Sequence, residues 1–343
     1  MTVIINNRTD PYFNLAVEEA LLTLLCDDAV IVWRNSPTVV IGRNQNAYAE
    51  FRRAYAEENG IKLVRRLTGG GAVFHDLGNI NISFITSYNG CGADYTEAAA
   101  PIVKLLHSLG INAKAGGRND VTVNGAKISG FAACVYTPKE VAATPKLLRH
   151  CTLLWDADLS HLESVLRPDD GKLISKGIPS VRARVGNLRY MLASSGSDFA
   201  QMSSDDFFNH TADFLSSYYN CSVREMSEDE TSLAEKLADE KYSHWEWNFG
   251  ESRVYARSFG TRFPFGRVNV SFDTDGGVIS HIKLTGDFLG LRDVSELEAT
   301  LTGTRLDVNE IETLLSSLPG GASVGDYIAG ADAATLARLI ALG

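Results

Sequence analysis

The chain is short of the features that mark a general nucleic-acid binder. It carries 32 Lys and Arg against 42 Asp and Glu, a formal net charge of −10, and no basic run. Binding a polyanion depends on neutralising phosphates. Any anion site must therefore come from a local cluster, such as Arg65 with Arg66 or Arg182 with Arg184. Cysteine is scarce: five residues, an odd number, with no Cys-x-x-Cys pair. That argues against a disulfide framework and against a zinc site, and reduced thiols in a cytoplasmic protein are the simplest account. No apolar stretch reaches the length that spans a bilayer. The opening Met1-Thr2-Val3-Ile4-Ile5-Asn6 reads as a strand and lacks the pattern of a signal peptide. Two phosphate signatures are missing as well. There is no Gly-x-x-x-x-Gly-Lys-Ser/Thr, and no Gly-x-Gly-x-x-Gly opens a helix.

What is present is enough for a sizeable core, at 45% hydrophobic and 22% charged residues. A length of 343 residues makes two domains the natural expectation. Asp10-Pro11 opens a helix, with Asp as cap and Pro in the first turn. Apolar residues recur at helical spacing from Phe13 to Leu25, with Glu18 and Glu19 expected on the other face. Val30–Trp33 and Val39–Ile41 read as strands around a Pro37 turn, and Lys62–Arg66 as the next strand. Ile80, Ile82 and Phe84 alternate with Asn79, Asn81 and Ser83, the period of a half-buried strand. A helix is expected over Thr96–Leu109, ended by Gly110. Asn124-Gly125 between alternating segments predicts a hairpin, and strict alternation places Lys127 and Ser129 on one face. Hairpins and short connections favour an α+β fold with a mixed, largely antiparallel sheet over a doubly wound one. The charged stretch Glu225–Ser243 reads as the close of a first domain, 1–243. Residues 244–343 read as a small α+β module with few candidate catalytic groups.

The chemistry gathers around Arg65-Arg66-Leu67-Thr68-Gly69-Gly70-Gly71-Ala72-Val73-Phe74-His75-Asp76. Glycines let backbone approach a ligand, successive N–H groups form a concave anion site, and guanidinium forks add donors. A glycine run also makes an ordinary turn, so the loop alone leaves both readings open. Asn119, Asp120 and Lys127 lie on the hairpin, and Lys172–Arg184, with Lys176 and Arg182, is rich in cations. A lysine facing an anion loop suits activation of a carboxylic acid by ATP, because its ammonium can bridge carboxylate and α-phosphate. Asp120 could help hold Mg²⁺, which takes carboxylate, water and phosphate oxygens. The cationic segment could be a lid that keeps water from an acyl-adenylate. The bland alternatives are a solvated edge lysine, a turn-fixing aspartate, a solvated charged face and a hydrogen-bonded structural His75. Cys134 and Cys151 could be nucleophiles or buried inert thiols.

These residues closely resemble the lipoate–protein ligase A family. The matching segments are Phe13-Asn14-Leu15-Ala16 with Glu18-Glu19, Val39-Val40-Ile41-Gly42-Arg43 with Gln45-Asn46, and Arg65-Arg66 with the run from Gly69 to Asn79. Gly117-Arg118-Asn119-Asp120, Lys127-Ile128-Ser129-Gly130, Thr152-Leu153-Leu154, Lys176-Gly177-Ile178, Ser180-Val181-Arg182 and Trp245–Gly250 continue the match. The resemblance implies a catalytic domain related to biotin–protein ligases and an accessory C-terminal domain. It implies a cytoplasmic monomer that makes lipoyl-AMP from lipoic acid, ATP and Mg²⁺, then acylates a lysine of a carrier. The carriers it implies are lipoyl domains of 2-oxoacid dehydrogenase E2 subunits and the glycine-cleavage H protein. By position, Arg66, Gly71, Ala72, Val73 and Phe74 look like the ATP-binding set. Lys127 looks like the catalytic lysine that meets both ATP and lipoate. Cys151, Phe131 and Leu67-Thr68 depart from the family pattern, which bears on pocket shape and specificity. Two rivals stand beside this reading. One is a transferase of the same superfamily that works through a cysteine thioester. The other is a non-catalytic carrier of lipoate or nucleotide.

Overall fold

The computed structural model describes residues 1–90, 92–116, 119–138, 144–166, 186–250 and 255–342. In chain order the strands are β1 (Thr2–Asn6), β2 (Ala29–Trp33), β3 (Thr38–Ile41), β4 (Lys62–Arg65), β5 (Val73–His75), β6 (Asn79–Ser87) and β7 (Ala113–Ala115). They continue with β8 (Asp120–Val123), β9 (Ala126–Tyr136), β10 (Lys146–Leu154), β11 (Val223–Arg224), β12 (Arg257–Phe263), β13 (Gly266–Asp275) and β14 (Val278–Gly286). An eight-stranded sheet runs β11-β1-β2-β6-β10-β9-β8-β7, and a small sheet runs β4-β3-β5. The large sheet is parallel only where β1 meets β11 and β2, and antiparallel from β2 onward. This is the mixed, largely antiparallel α+β architecture that the hairpin signals favour.

Local chemistry sets the element ends. Asp10 caps the helix Pro11–Leu24 by accepting from the Tyr12 N–H, with Pro11 in the first turn. Asp94 caps the helix Tyr95–Ser108, and Gly110 leaves it at a φ of 83°. Asn124 and Gly125 take φ values of 49° and 82°, the left-handed pair of a type I′ hairpin turn.

By packing, the chain forms two units. One holds residues 1–40, 51–65 and 73–248. The other holds 41–50, 66–72 and 249–343. In the first, the helices Tyr95–Ser108 and Ser204–Tyr219 cover one face of the large sheet. Ile102, Leu105, Phe207 and Leu215 pack there with Val30, Ile80, Ile82 and Phe84. The helix Pro11–Leu24 lies against β6 and beside the helix Glu228–Leu237. That placement corrects two expectations. Glu18 is fully buried rather than outward-facing, and the polar side of β6 is buried too: Asn79, Asn81 and Ser83 are at most 2% exposed. Periodicity marked an apolar side, but both sides of these elements are covered. In the second unit, β12, β13 and β14 form a meander whose core takes Val268, Val270, Phe272 and Leu284. The helices Ser295–Leu301, Val308–Leu315 and Ala333–Leu342 close it with Leu297, Ile311 and Leu336.

The helix Glu228–Leu237 carries an acid-sensitive clasp. Its N-cap Ser227 and Glu230 form a capping box, and Arg224 grips Glu230 with two N–H groups at 2.6 and 2.7 Å. Burial alone would raise the Glu230 carboxyl, but the Arg224 and Ser227 hydrogen bonds outweigh it and hold the group below its usual range. A carboxyl depressed in the folded state stabilises above its unfolded value and loses that contribution as pH falls through the folded value. Arg224→Gln should therefore lower the melting temperature at neutral pH, and the gap from wild type should close in acid. Thermal denaturation across the acid range checks this, and a gap that widens in acid contradicts the clasp.

Candidate functional site

The glycine loop is held in shape by its own arginine. Arg66 is 5% exposed, and its guanidinium donates to Thr68 Oγ1 (3.0 Å), Gly69 O (2.6 Å) and Gly71 O (2.9 Å). Within the same unit, the Gly70 N–H donates to Phe288 O and the Arg43 N–H to Thr68 O. Gly70 sits at a φ of 92°, and a Cβ on Gly69 would lie 2.8 Å from Phe288 O. These two glycines are explained by conformation and packing. Gly71 is different: its φ is not positive, and the nearest atom to an added Cβ is Asp287 Cβ at 3.9 Å. Among the described residues, neither backbone conformation nor packing accounts for a glycine there.

The neighbouring candidates are held otherwise. Arg65 is 6% exposed. Its side chain donates to the carbonyls of Trp247 (2.9 Å) and Asn248 (2.8 Å), a clamp on the chain rather than a reach toward an anion. Val73 and Phe74 pair with Val40 and Val39 across β5 and β3, while Ala72 belongs to the loop. His75 is 4% exposed, with Nδ1 3.2 Å from Asn35 Nδ2 and its ring edge-on to Trp33.

On the hairpin of the first unit, Asn119, Asp120 and Lys127 do come together. Asn119 exchanges two hydrogen bonds with the Phe131 backbone, each 2.7 Å. Lys127 forms an ion pair with Asp120. The pairing register runs Asp120↔Gly130 and Val121↔Ser129, then shifts to Thr122↔Lys127 and Val123↔Ala126. Ile128 is thus the extra residue of a β-bulge. Directly opposed residues share a face, so Lys127 stands with Thr122, Asp120 and Gly130, and Ser129 stands with Val121. This corrects the expectation that Lys127 and Ser129 share a face. A cavity of about 230 Å³ beside the hairpin is lined by Asp94, Tyr95, Gly116, Asn119, Asp120 and Phe131. Its two carboxylates make it a poor anion site.

Lys176 and Arg182, with the whole Lys172–Arg184 segment, lie outside the described residues. Among the described residues, no group of three or more His, Cys, Asp and Glu could hold a metal, and no helix is long and apolar enough to cross a membrane. The sequence reading missed a buried polar chain. Trp33 Nε1 donates to Ser83 Oγ (2.8 Å), Ser83 Oγ donates to Glu18 Oε1 (2.6 Å), and His150 Nδ1 lies 2.8 Å from that same oxygen. A carboxylate this deep needs such partners. Ser83 shares the polar side of β6 with Asn79 and Asn81, so alternation alone gave no signal that singled it out. Next to His150, Cys151 is fully buried beside Ser129, and burial pushes its thiol up to about 12.

Comparison with known proteins matches residues 10–214 to the family profile described as the lipoyl protein ligase A/B catalytic domain, and residues 253–340 to the bacterial lipoate protein ligase C-terminus. The chain belongs to the lipoate–protein ligase family. It is 35% identical over 318 residues to lipoate-protein ligase LplJ of Bacillus subtilis, covering 91% of this chain and 92% of that one. It is 37% identical over 316 residues to lipoate–protein ligase 1 of Staphylococcus aureus, covering 91% and 92%. Among solved structures, a lipoate-protein ligase A bound with ATP aligns at a TM-score of 0.60 and 29% identity, over 73% of this chain and 98% of its own. Plasmodium falciparum LipL1 in complex with lipoate aligns at 0.74 and 21% identity, over 92% and 94%, and shows the shared fold.

Proposed function

We propose that the chain is an ATP-dependent lipoate–protein ligase, active as a cytoplasmic monomer. The observation that carries this is the ordered match of both family domains on one chain, residues 10–214 and then 253–340. In the first step a lipoate carboxylate oxygen attacks the α-phosphorus of MgATP. The bond to the bridging oxygen breaks, and pyrophosphate leaves. In the second, the ε-amine of a carrier lysine attacks the acyl carbonyl, AMP leaves with the C–O electron pair, and the amine loses a proton. Lys127 acts through its position and charge. It pairs with the carboxylate and offsets the charge that builds up on the adenylate oxygens.

Arg66, Gly71, Ala72, Val73 and Phe74 form the ATP-binding set in this reading. The open Cβ position of Gly71 supports it. Asp120 would supply one carboxylate to the Mg²⁺ that accompanies ATP, an ion that completes its shell with phosphate oxygens and water. In chain order, 1–243 is the catalytic domain and 244–343 the accessory domain, with 41–50 and 66–72 packing in the second unit. The carriers are lipoyl domains of 2-oxoacid dehydrogenase E2 subunits and the glycine-cleavage H protein. A Thermoplasma acidophilum relative, 31% identical, is described together with its E2 lipoyl domain. ATP–pyrophosphate exchange with lipoate, octanoate and biotin in turn is the test. Exchange that no carboxylic acid stimulates overturns the reading.

The thioester alternative predicts a reactive cysteine. A thiol pushed up to about 12 holds almost no thiolate at neutral pH. Cys151→Ala should therefore keep lipoyl transfer to a lipoyl domain within about threefold of wild type, since a small truncation in a core repacks at modest cost. Iodoacetamide should label exposed Cys26 in the native protein and spare Cys151. Loss of transfer in either Cys151→Ala or Cys134→Ser, with the melting temperature unchanged, would favour the transferase.

A further inference from the structure

Gly130 has no conformational reason to be glycine, because its φ is not among the positive ones. Its reason is spatial and very local. A Cβ there would lie 2.8 Å from both Cε and Nζ of Lys127, with Asp120 Oδ1 next at 3.9 Å. The lysine side chain crosses the empty Cα of Gly130 to reach Asp120, on the strand opposite. The bulge at Ile128 makes that crossing possible. With the register of Asp120↔Gly130 continued unbroken, Lys127 would oppose Val123, which is 4% exposed in the core. The extra residue turns the lysine to the Asp120 face, where both side chains are more than a third exposed. Re-aiming a side chain beside a functional site is what bulges do.

We propose that Gly130 is a positioning residue for Lys127. Its missing side chain forms the slot in which the ammonium lies, and Asp120 is the resting counter-ion that holds it there until the substrate's carboxylate and phosphate oxygens take it over. No proton moves in this exchange: the ammonium trades one anion for another. The proposal rests on Lys127 as the lysine that meets ATP and lipoate, and it adds how this fold aims it.

Gly130→Ala tests it, because among the described residues the close atoms are the far end of a long lysine side chain. The melting temperature should stay within a few degrees of wild type, since alanine fits ordinary backbone at little cost. Lipoate-dependent ATP–pyrophosphate exchange should fall about tenfold to a hundredfold, mainly in kcat, as a displacement near 1 Å does. Affinity for a non-hydrolysable lipoyl-sulfamoyl adenosine, measured by calorimetry, should drop in Gly130→Ala but show no further drop when Gly130→Ala is added to Lys127→Ala. Equal losses in both backgrounds would place the glycine's effect elsewhere and overturn the proposal. A readout free of activity accompanies these. Labelling of Lys127 by an amine-reactive ester, followed by mass spectrometry, should rise in Gly130→Ala and in Asp120→Asn. Labelling unchanged in both overturns the slot and the counter-ion whatever happens to catalysis. Wild-type protein without lipoate-dependent exchange would instead sink the functional reading alone.

Discussion

Lys127→Ala should cost about 10²–10³-fold in lipoate-dependent ATP–pyrophosphate exchange, the usual loss when a charged transition-state contact is removed. The fold should hardly notice. Lys127 and Asp120 are 39% and 37% exposed at the side chain, and a pair this open to solvent contributes roughly 0–1 kcal/mol. The expected signature is therefore a melting temperature close to wild type beside a collapsed kcat. Lys127→Arg should rescue little. A guanidinium is planar and broad, and the path over Gly130 leaves room for a slim ammonium. Retention of more than about a third of wild-type exchange by Lys127→Ala would remove the lysine from the transition state.

Much of this fold was legible because short-range signals act locally. Asp10-Pro11, Gly110 and Asn124-Gly125 each fix a turn or cap through atoms within a few residues, and each does so in the structure. The places where the sequence misled are those where a distant element intervenes. Glu18 looked solvent-facing until β6 supplied Ser83 and β10 supplied His150. The β6 asparagines looked half-exposed until the helix Pro11–Leu24 lay against that strand. Lys127 and Ser129 looked like neighbours on one face because alternation assumes an unbroken ladder, and one inserted residue reverses it. The chemistry divided in the same way. The expectation of an anion loop and a facing lysine came from residue types and spacing, whereas lipoate rests on family membership, since no spacing of polar groups spells out an acyl tail.

Gly42→Ala should damage the glycine loop more deeply than Gly71→Ala does. An added Cβ would sit 2.1 Å from Gly70 O, 3.1 Å from Gly70 C and 3.2 Å from the Gly69 carbonyl carbon. All three are backbone atoms, so no rotamer change relieves them. Reaching an ordinary contact needs about 1 Å of displacement. The loop resists that movement. The Gly42 N–H donates to Gln45 Oε1, the Arg43 N–H donates to Thr68 O, the Gly70 N–H donates to Phe288 O, and Arg66 holds two of the loop carbonyls. Forcing it apart should cost about 1–3 kcal/mol of stability, the usual range for overpacking. The same movement carries Gly71 and Ala72 with it, so affinity for MgATP should fall by about a hundredfold. Gly71→Ala separates the two effects. Among the described residues its Cβ meets nothing closer than 3.9 Å, so it should melt like wild type and still bind nucleotide poorly. Thermal denaturation with and without MgATP reads both quantities at once, because a bound ligand raises the melting temperature in proportion to its occupancy. Wild type should shift upward with nucleotide, Gly71→Ala should start at the same temperature and shift little, and Gly42→Ala should start lower and shift little. If Gly71→Ala keeps the full nucleotide shift, the open space beside that glycine has nothing to do with ATP, and the loop is only a turn.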